Sequence, residues 1–295
     1  MTSAPTSPTP VPRIEREDEF TTERHVYEPH KIGLPPLIPY IRAAWQRREF
    51  AIEMARTELR AQHFNNVLGQ LWLVLNPLLL AGVYFVLVDI LRRGHRPEGF
   101  FAHLMAGIFA YYYVSGAMRS SVKSVTSGGK LILNSAFPRT LLPLSEVLVA
   151  FLRFLPTLVI YIPVHLLSHR PVGLVTLWVI PLVGLMTIIA AGLAMAVAAL
   201  QVYFRDLKDL LPYLLRVWLY ISPVLYTANE VPGGYRLLID INPLGTLLQM
   251  WGEVLNRGVT PAAGLFVIAS AWSIGLFLAG ALFFISRERE FAVRI

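Results

Sequence analysis

The chain has no cysteine and few charged residues. Without cysteine it has no disulfide framework, no cysteine-ligated zinc site and no thiol chemistry. Only 15% of its 295 residues are charged, against about 25% in an average soluble domain. Apolar residues make up 55% of the chain, and the mean hydropathy is +0.54. A soluble core cannot bury that much apolar surface, so the composition predicts a protein dissolved in lipid.

Motifs of common enzyme classes are missing as well. The histidines are scattered, and no HExxH pattern or carboxylate cluster accompanies them. No G-x-S-x-G frame marks a serine nucleophile. The stretch SVTSGGK fails as a phosphate-binding loop, because Ser124 stands where a glycine is needed and Leu131 where magnesium needs a hydroxyl. We therefore expect no catalytic residue, no metal site and no cofactor bound by this chain.

Long apolar runs dominate what is present. Six of them approach or exceed the roughly 17–25 residues that a helix needs to cross a bilayer, although the second and fifth are short. Helices are expected because lipid cannot satisfy free backbone groups. The predicted fold class is an all-α integral membrane protein with six transmembrane helices, at about 70–91, 101–118, 141–167, 172–200, 210–226 and 263–285.

The distribution of Lys and Arg predicts the orientation. Most of them lie in segments that share a side with both termini, and the positive-inside rule puts that side in the cytoplasm. The tight turn FRDLKD, around Arg205 and Asp206, is then cytoplasmic. The loop after the first span is an exception, since it carries Arg92, Arg93 and Arg96 on the outer side, where lipid headgroups are the expected partners. We predict a multi-pass protein of the cytoplasmic membrane with both termini cytoplasmic.

Three segments outside the spans have a distinct character. Residues 1–34, rich in Pro, Ser and Thr, are expected to form a disordered cytoplasmic tail. Residues 35–66 carry apolar side chains at helical spacing and predict an amphipathic interface helix, or a small soluble helix, before a transmembrane domain at 67–295. Between 227 and 261, two apolar stretches separated by Asn242-Pro243 suit re-entrant half-helices before the last span, or else an extracellular cap.

Two arginines lie near the middles of predicted spans, where an ionised side chain is costly unless it faces water or a partner. Arg153 and Arg216 are therefore candidate contacts for a phosphate or head group, and a structural pair of Arg153 with Glu146 is the alternative. Tyr213 and Tyr220 share one helix face with Arg216. Aromatic faces pack on sugar rings, so this row suits a sliding polysaccharide, although most membrane aromatics serve packing or anchoring.

Three stretches resemble the permease subunits of ABC-2-type polysaccharide exporters, the O-antigen and teichoic-acid exporter family. They are NVLGQLWLVLNPLL from Asn66, YFRDLKDLLPYLLRVWLYISPVLY from Tyr203 and IDINPLGTLLQMW from Ile239. The resemblance extends over about residues 36–295. In its preference for Arg over Lys and in its Pro/Ser/Thr-rich tail, the chain is most similar to family members that export galactan in actinobacteria.

The resemblance implies a homodimer that works with two copies of a separate ABC ATPase, which would use ATP and Mg²⁺. It implies export of a lipid-linked glycan through a channel at the dimer interface, with membrane lipids around it and no nucleic acid partner. The aromatic residues expected to line the channel are Trp72, Tyr84, Tyr112, Tyr213 and Tyr220. The basic residues expected to couple the permease to the ATPase, in the loop after the second span, are Arg119, Lys123 and Lys130.

Other functions are compatible with parts of this pattern. An ABC-2 permease for a drug or a small lipid would share the spans. An integral-membrane glycan transferase would need carboxylates and histidines near one membrane face, which the sequence does not show. An ion channel is disfavoured, because no acidic ring or filter motif is present.

Overall fold

Every regular element in the described residues is helical. The computed structural model describes residues 34–61, 71–95, 99–134, 136–227 and 230–295, without the side chains of residues 73, 74, 130 and 236. The helices, in chain order, are α1 (Leu37–Gln46), α2 (Arg48–Ala61), α3 (Trp72–Leu91), α4 (Phe100–Ser121), α5 (Ser124–Ser127), α6 (Gly129–Asn134), α7 (Leu141–Leu167), α8 (Val179–Tyr203), α9 (Leu207–Ile221), α10 (Arg236–Ile241), α11 (Gly245–Gly252), α12 (Ala263–Arg287) and α13 (Phe291–Arg294).

The all-α membrane class is confirmed, and three of the six predicted spans meet the length and hydropathy of a membrane-crossing helix. These three are Leu141–Leu167, Leu174–Tyr203 and Ala263–Arg294. The first predicted span contains a shorter apolar helix, Leu75–Leu91. Residues Leu34–Ile295 form one compact unit.

The second predicted span corresponds to α4, the central helix of the bundle. It contacts α3, α7, α8 and α11, and most of its residues are buried by protein. Because lipid would touch little of this helix, it does not need a continuous apolar surface and carries buried Tyr111, Tyr113 and Ser115. That polarity explains why a sequence prediction places this span less clearly than those on the outside.

The fifth predicted span is wrong at both ends. It was expected at 210–226, but α9 covers Leu207–Ile221. Fifteen residues make a helix about 22 Å long, short of the roughly 30 Å of hydrocarbon in a bilayer. The backbone becomes extended at Ser222, with ψ of 146°, because the residue before a proline avoids the helical region. Pro223 therefore ends the helix.

The interface helix predicted at 35–66 is two helices, with a break at Arg47. In α2, Ala51 and Ala55 are buried, and this helix packs on α7. In α1 no residue is buried, and the apolar side chains of Ile38 and Trp45 are exposed. Residues 1–33 of the predicted tail, residues 62–66 of the predicted helix and Gln70 lie outside the described residues.

Two short helices, α10 and α11, flank Asn242-Pro243, where the sequence predicts half-helices. The Asn242 side chain ties them to the end of α9: its Oδ1 accepts hydrogen bonds from Trp218 Nε1 (2.7 Å) and the Leu244 amide (3.1 Å), and its Nδ2 donates to Ser222 Oγ (2.9 Å). Trp251 on α11 is fully buried and donates to the Ala106 carbonyl of α4 at 3.0 Å. The Asn242 side chain thus forms a hydrogen-bonded corner inside the bundle.

Candidate functional site

One face of α9 is exposed and carries the predicted aromatic row. Tyr213 is 66% exposed and Tyr220 47%, and Arg216 between them is exposed as well. The opposite face is apolar and buried through Leu211, Leu215 and Leu219. This helix therefore packs on the bundle with its leucines and presents a tyrosine–arginine face outward.

Tyr84 of α3 contacts that face at the C-terminal end of α9. The Tyr84 and Tyr220 rings are edge to face, with centroids 6.4 Å apart, and the Tyr84 hydroxyl donates to the Tyr220 hydroxyl at 3.5 Å. Tyr84 itself is buried, at 8% exposure, so it supports Tyr220 from below. Trp72, at the start of α3, is half-buried and lies about three turns away along the same helix.

A cavity of about 480 Å³ between α3, α4 and α7 unites three further predicted residues. Tyr112, Arg119 and Arg153 all line it, although the sequence assigned them three different roles. Asn76 and Pro77, the N-P pair of the first family-like stretch, line it from α3. The leading residues of that stretch, 66–70, lie outside the described residues.

This cavity lies beside α9, because α4 packs on that helix. The hydroxyl of Tyr111, the residue before Tyr112, donates to the Leu215 carbonyl, and its ring centroid lies 6.2 Å from that of Trp218. Arg153 is acted on by the carboxylates of Glu146 and Glu58. The structural pair of Arg153 with Glu146, the alternative expected from the sequence, stays a prediction.

A second, basic cavity lies where α8 ends and α9 begins. Its volume is about 410 Å³, and its cations are Lys123, Arg205, Lys208 and Arg294. The structure thus separates Lys123 from Arg119, which lines the first cavity, and the side chain of Lys130 is outside the described residues. The turn that contains Arg205 and the exposed Asp206 is closed by Gln201, which donates to the Arg205 carbonyl at 2.7 Å and accepts from the Lys208 amide at 2.8 Å.

Sequence reasoning missed a buried polar cluster that joins α1, the segment before α7 and the C-terminal segment. Glu288 is 9% exposed; its carboxylate accepts from the Tyr40 hydroxyl and from the Arg139 amide at 2.7 Å. Tyr40 also lies 3.1 Å from Thr140 Oγ1. Burial raises the pKa of Glu288, and burial together with the Glu288 charge raises that of Tyr40. No local pattern could find this cluster, because 248 positions separate Tyr40 from Glu288.

No metal centre emerges from these residues. Across the described ranges, no three side chains of His, Asp or Glu converge in a way that would hold an ion. The candidate site therefore consists of aromatic rings, arginines and cavities, which can bind and guide a molecule.

Comparison with known proteins supports the resemblance to polysaccharide-export permeases that the sequence motifs indicate. No family model matches the chain. The chain is 27% identical over 265 residues to the O-antigen export system permease protein RfbA of Myxococcus xanthus, covering 88% of this chain and 100% of that protein. It is 26% identical over 212 residues to a protein of the same name from Klebsiella pneumoniae, covering 72% and 82%. The polysialic acid transport protein KpsM of Escherichia coli is 23% identical over 254 residues, covering 80% and 92%.

These relatives confirm the resemblance that the sequence motifs carry, to permease subunits of ABC-2-type polysaccharide exporters. The similarity indicates a transport permease rather than an enzyme, and the long apolar helices support a multi-pass membrane protein.

Proposed function

We propose that this chain is the permease subunit of an ABC transporter that exports a lipid-linked polysaccharide, of O-antigen, teichoic-acid or galactan type. In this proposal two copies form the conduit in the cytoplasmic membrane, with all termini in the cytoplasm. Two separate ATPase subunits supply the energy. Relatives that carry the names of O-antigen and polysialic acid transport proteins support the substrate class.

The observation that carries the proposal is the exposed face of α9. An arginine on a lipid-facing helix surface is costly, whereas the same arginine in a wet conduit is solvated. Arg216 stands between Tyr213 and Tyr220 on this face, and all three are exposed in the single chain. A second copy apposed to this face would enclose a passage lined by rings and a positive charge, and sugar rings would slide on the tyrosines.

The cavity that holds Arg119 and Arg153 suits the anionic head of a lipid carrier. Guanidinium groups bind phosphate oxygens with charge-assisted, often bidentate hydrogen bonds. Tyr112 lies in the same cavity, and its neighbour Tyr111 packs on α9, so a phosphate bound there would lie close to that helix. Head group and sugar chain would then occupy adjoining surfaces of the permease.

The basic cavity at Lys123, Arg205, Lys208 and Arg294 is our proposed surface for the ATPase. It includes Lys123, which precedes α5, and Thr126 within α5, in the segment of short helices between the second and third spans. Clustered cations favour acidic side chains on a partner and speed its association. Movement of the ATPase would reach α8 and α9 directly through their shared turn.

The proposal is tested by depleting the protein in its native host. Lipid-linked sugar polymer should accumulate on the cytoplasmic side and disappear from the surface, and re-expression should reverse both changes. A permease for a drug or small lipid would leave surface polymer unchanged, and a transferase would abolish the polymer instead of trapping it inside.

Arginine variants test the role of the positive charges. Arg216→Ala and Arg153→Ala should each reduce export several-fold at matched expression, while Arg216→Lys, which keeps the charge, should retain more activity than Arg216→Ala. Normal export by both alanine variants would overturn the proposed phosphate contacts and leave the channel proposal standing.

A further inference from the structure

A third cavity lies at the end of the bundle where α3 and α9 finish, opposite the basic cavity. Its volume is about 710 Å³, within the usual size of small-molecule sites. It is formed by the segment after α3, the last turn of α9 and the loop that leads into α10. It includes Arg92, one of the outer arginines that the positive-inside rule leaves unexplained.

Three tyrosines from different segments surround this cavity: Tyr220, Tyr226 and Tyr235. The Tyr226 hydroxyl donates to the Ile221 carbonyl at 2.7 Å, which holds the ring in place. Tyr235 ends the short turn Gly233–Tyr235 and is 65% exposed. Tyrosine rings offer sugars an apolar face and a polar edge. Since Tyr220 also belongs to the α9 row, the cavity continues that row.

The polar side of the cavity is an ion pair with bidentate geometry. Arg92 donates to the two carboxylate oxygens of Glu230 at 3.0 and 2.7 Å, and Glu230 also accepts from the Thr227 amide at 3.1 Å. The Arg92 guanidinium lies over the Phe100 ring, 5.2 Å from its centroid. The hydrogen bonds from Arg92 hold the pKa of the Glu230 carboxyl below its usual value, so the pair stays ionised near neutral pH.

Charge balance distinguishes this cavity from the one between α3, α4 and α7. Although Glu146 and Glu58 act on Arg153, no described carboxylate lines that cavity beside Arg119, whereas here Glu230 lines the cavity and neutralises Arg92. A neutralised pair still has free lone pairs and N–H groups, which form strong hydrogen bonds with hydroxyls. Three rings and a compensated ion pair match an uncharged sugar better than a phosphate.

We propose that this cavity is a saccharide-binding site that holds two or three uncharged sugar rings of the polymer as it leaves the α9 row on the outer side. The site rests on the proposed export function and adds a binding step at its far end. Stacking on Tyr226 and Tyr235 would hold the emerging chain, and the hydroxyls would bond the Arg92–Glu230 pair.

The absence of cysteine from this chain makes a labelling test possible, because an introduced thiol is then the one thiol in the purified permease band. Leu238 lines the cavity and is 55% exposed, and Val259 is 51% exposed and does not line it. Leu238→Cys and the control Val259→Cys are expressed separately in the full transporter. Each is labelled in intact cells with a membrane-impermeant maleimide, in the presence of maltotriose, mannotriose, galactotriose or inorganic pyrophosphate.

We expect both thiols to be labelled from outside, and at least one trisaccharide to slow labelling of Leu238→Cys alone. At about twice its dissociation constant a ligand slows the reaction about threefold, because the rate follows the unoccupied fraction. Pyrophosphate should give no protection. In the Leu238→Cys background, Tyr235→Ala should abolish the protection and Tyr235→Phe should keep it.

Protection by none of the trisaccharides, equal protection of Val259→Cys, or protection that survives Tyr235→Ala would overturn the site. A Leu238→Cys thiol that the outside reagent cannot reach, while Val259→Cys is labelled, would overturn it too. The depletion experiment decides the export function separately: intracellular polymer with no trisaccharide protection would remove only this site. If a trisaccharide protected Leu238→Cys but depletion caused no intracellular polymer, the saccharide site would stand and the export function would be wrong.

Discussion

Tyr84 and Tyr220 meet edge to face, with ring centroids 6.4 Å apart and an interplanar angle of 83°. This contact joins the buried side of α3 to the exposed face of α9. It places Tyr220 where both the α9 row and the cavity beside Arg92 can use its ring. One aromatic pair thus links the two surfaces that we propose for the sugar chain.

Tyr220→Ala should slow export of the polymer. Loss of the edge-to-face pair alone is worth about 0.5–1.5 kcal/mol, which corresponds to a roughly two- to tenfold lower rate if the pair holds the ring in its working position. Tyr220→Phe should remain near wild type, because the ring is kept. The measurement is appearance of polymer at the cell surface at matched expression, with Val267→Ala on the exposed face of α12 as control. Equal rates for Tyr220→Ala and wild type would refute the role of the pair.

Gly192 on α8 and Gly280 on α12 allow two helices to touch through their backbones. A Cβ at Gly192 would lie 2.4 Å from the Leu276 carbonyl oxygen, and one at Gly280 would lie 2.0 Å from the Gly192 carbonyl oxygen. Gly192→Ala and Gly280→Ala should therefore each cost about 1–3 kcal/mol and lower the thermal unfolding temperature in detergent.

Gly275→Ala is the matched control for this contact. It lies on the same helix as Gly280, and nothing is within 4 Å of its Cβ position. Alanine is favoured over glycine inside helices by about 1 kcal/mol, so this variant should be as stable as wild type or more so. If all three variants unfolded at one temperature, the close approach of α8 and α12 would be disproved.

Asn242→Ala should destabilise the corner between α9 and α11. It removes the acceptor of Trp218 Nε1 and of the Leu244 amide and the donor to Ser222 Oγ. Each buried group left without a partner costs about 1–3 kcal/mol. We expect a lower unfolding temperature and faster proteolysis of the loop before α10, measured on the purified protein. Asn76→Ala, at an exposed position of α3, should change neither value.

Glu288 should make stability depend on pH in a direction set by its burial. Burial raises the pKa of its carboxyl, so the folded protein binds this proton more tightly than the unfolded chain. The stabilisation that this proton gives to the folded state is complete at pH values below the ordinary pKa of about 4.3. It is lost as the pH rises through the higher pKa of the folded state. The stability of wild type relative to Glu288→Gln should therefore fall as the pH rises above the ordinary pKa of a glutamate, about 4.3.

Glu288→Ala should be the more damaging change at any pH. It leaves the Tyr40 hydroxyl and the Arg139 amide without their acceptor, at about 1–3 kcal/mol for each buried group. Glu288→Gln keeps one oxygen for the Arg139 amide. Unfolding by heat in a matched detergent distinguishes the variants, and an alanine variant as stable as the glutamine variant would rule out the buried cluster as a structural tie.

Local patterns in the sequence predicted the long helices well. The runs at 141–167 and 263–285 became helices with nearly the same bounds, and the run at 172–200 became a 3₁₀ turn at Leu174–Trp178 followed by α8. Length and apolar composition act within one segment, which is why these runs could be predicted. The face shared by Tyr213, Arg216 and Tyr220 followed from helical periodicity for the same reason. The break of the interface helix at Arg47 and the early end of α9 were missed, since boundaries depend on single turns and on tertiary contacts.

The cavities depended on which faces meet. Arg119 and Arg153 are distant in sequence and had different predicted roles, yet the packing of α4 on α7 puts them around one space. Arg92 and Glu230 are 138 positions apart, and their ion pair gives a reason for the Arg92 charge in a loop that the sequence predicts to be on the outer side.

The sequence by itself determined the solvent of this protein, the segments that become long helices and the family it resembles, because each depends on composition or on neighbours along the chain. Only the tertiary structure decided which rings and charges face one another, since helix packing brings together residues whose separation along the chain carries no signal. The arrangement of Tyr84 against Tyr220 and of Arg92 against Glu230 belongs to that second class.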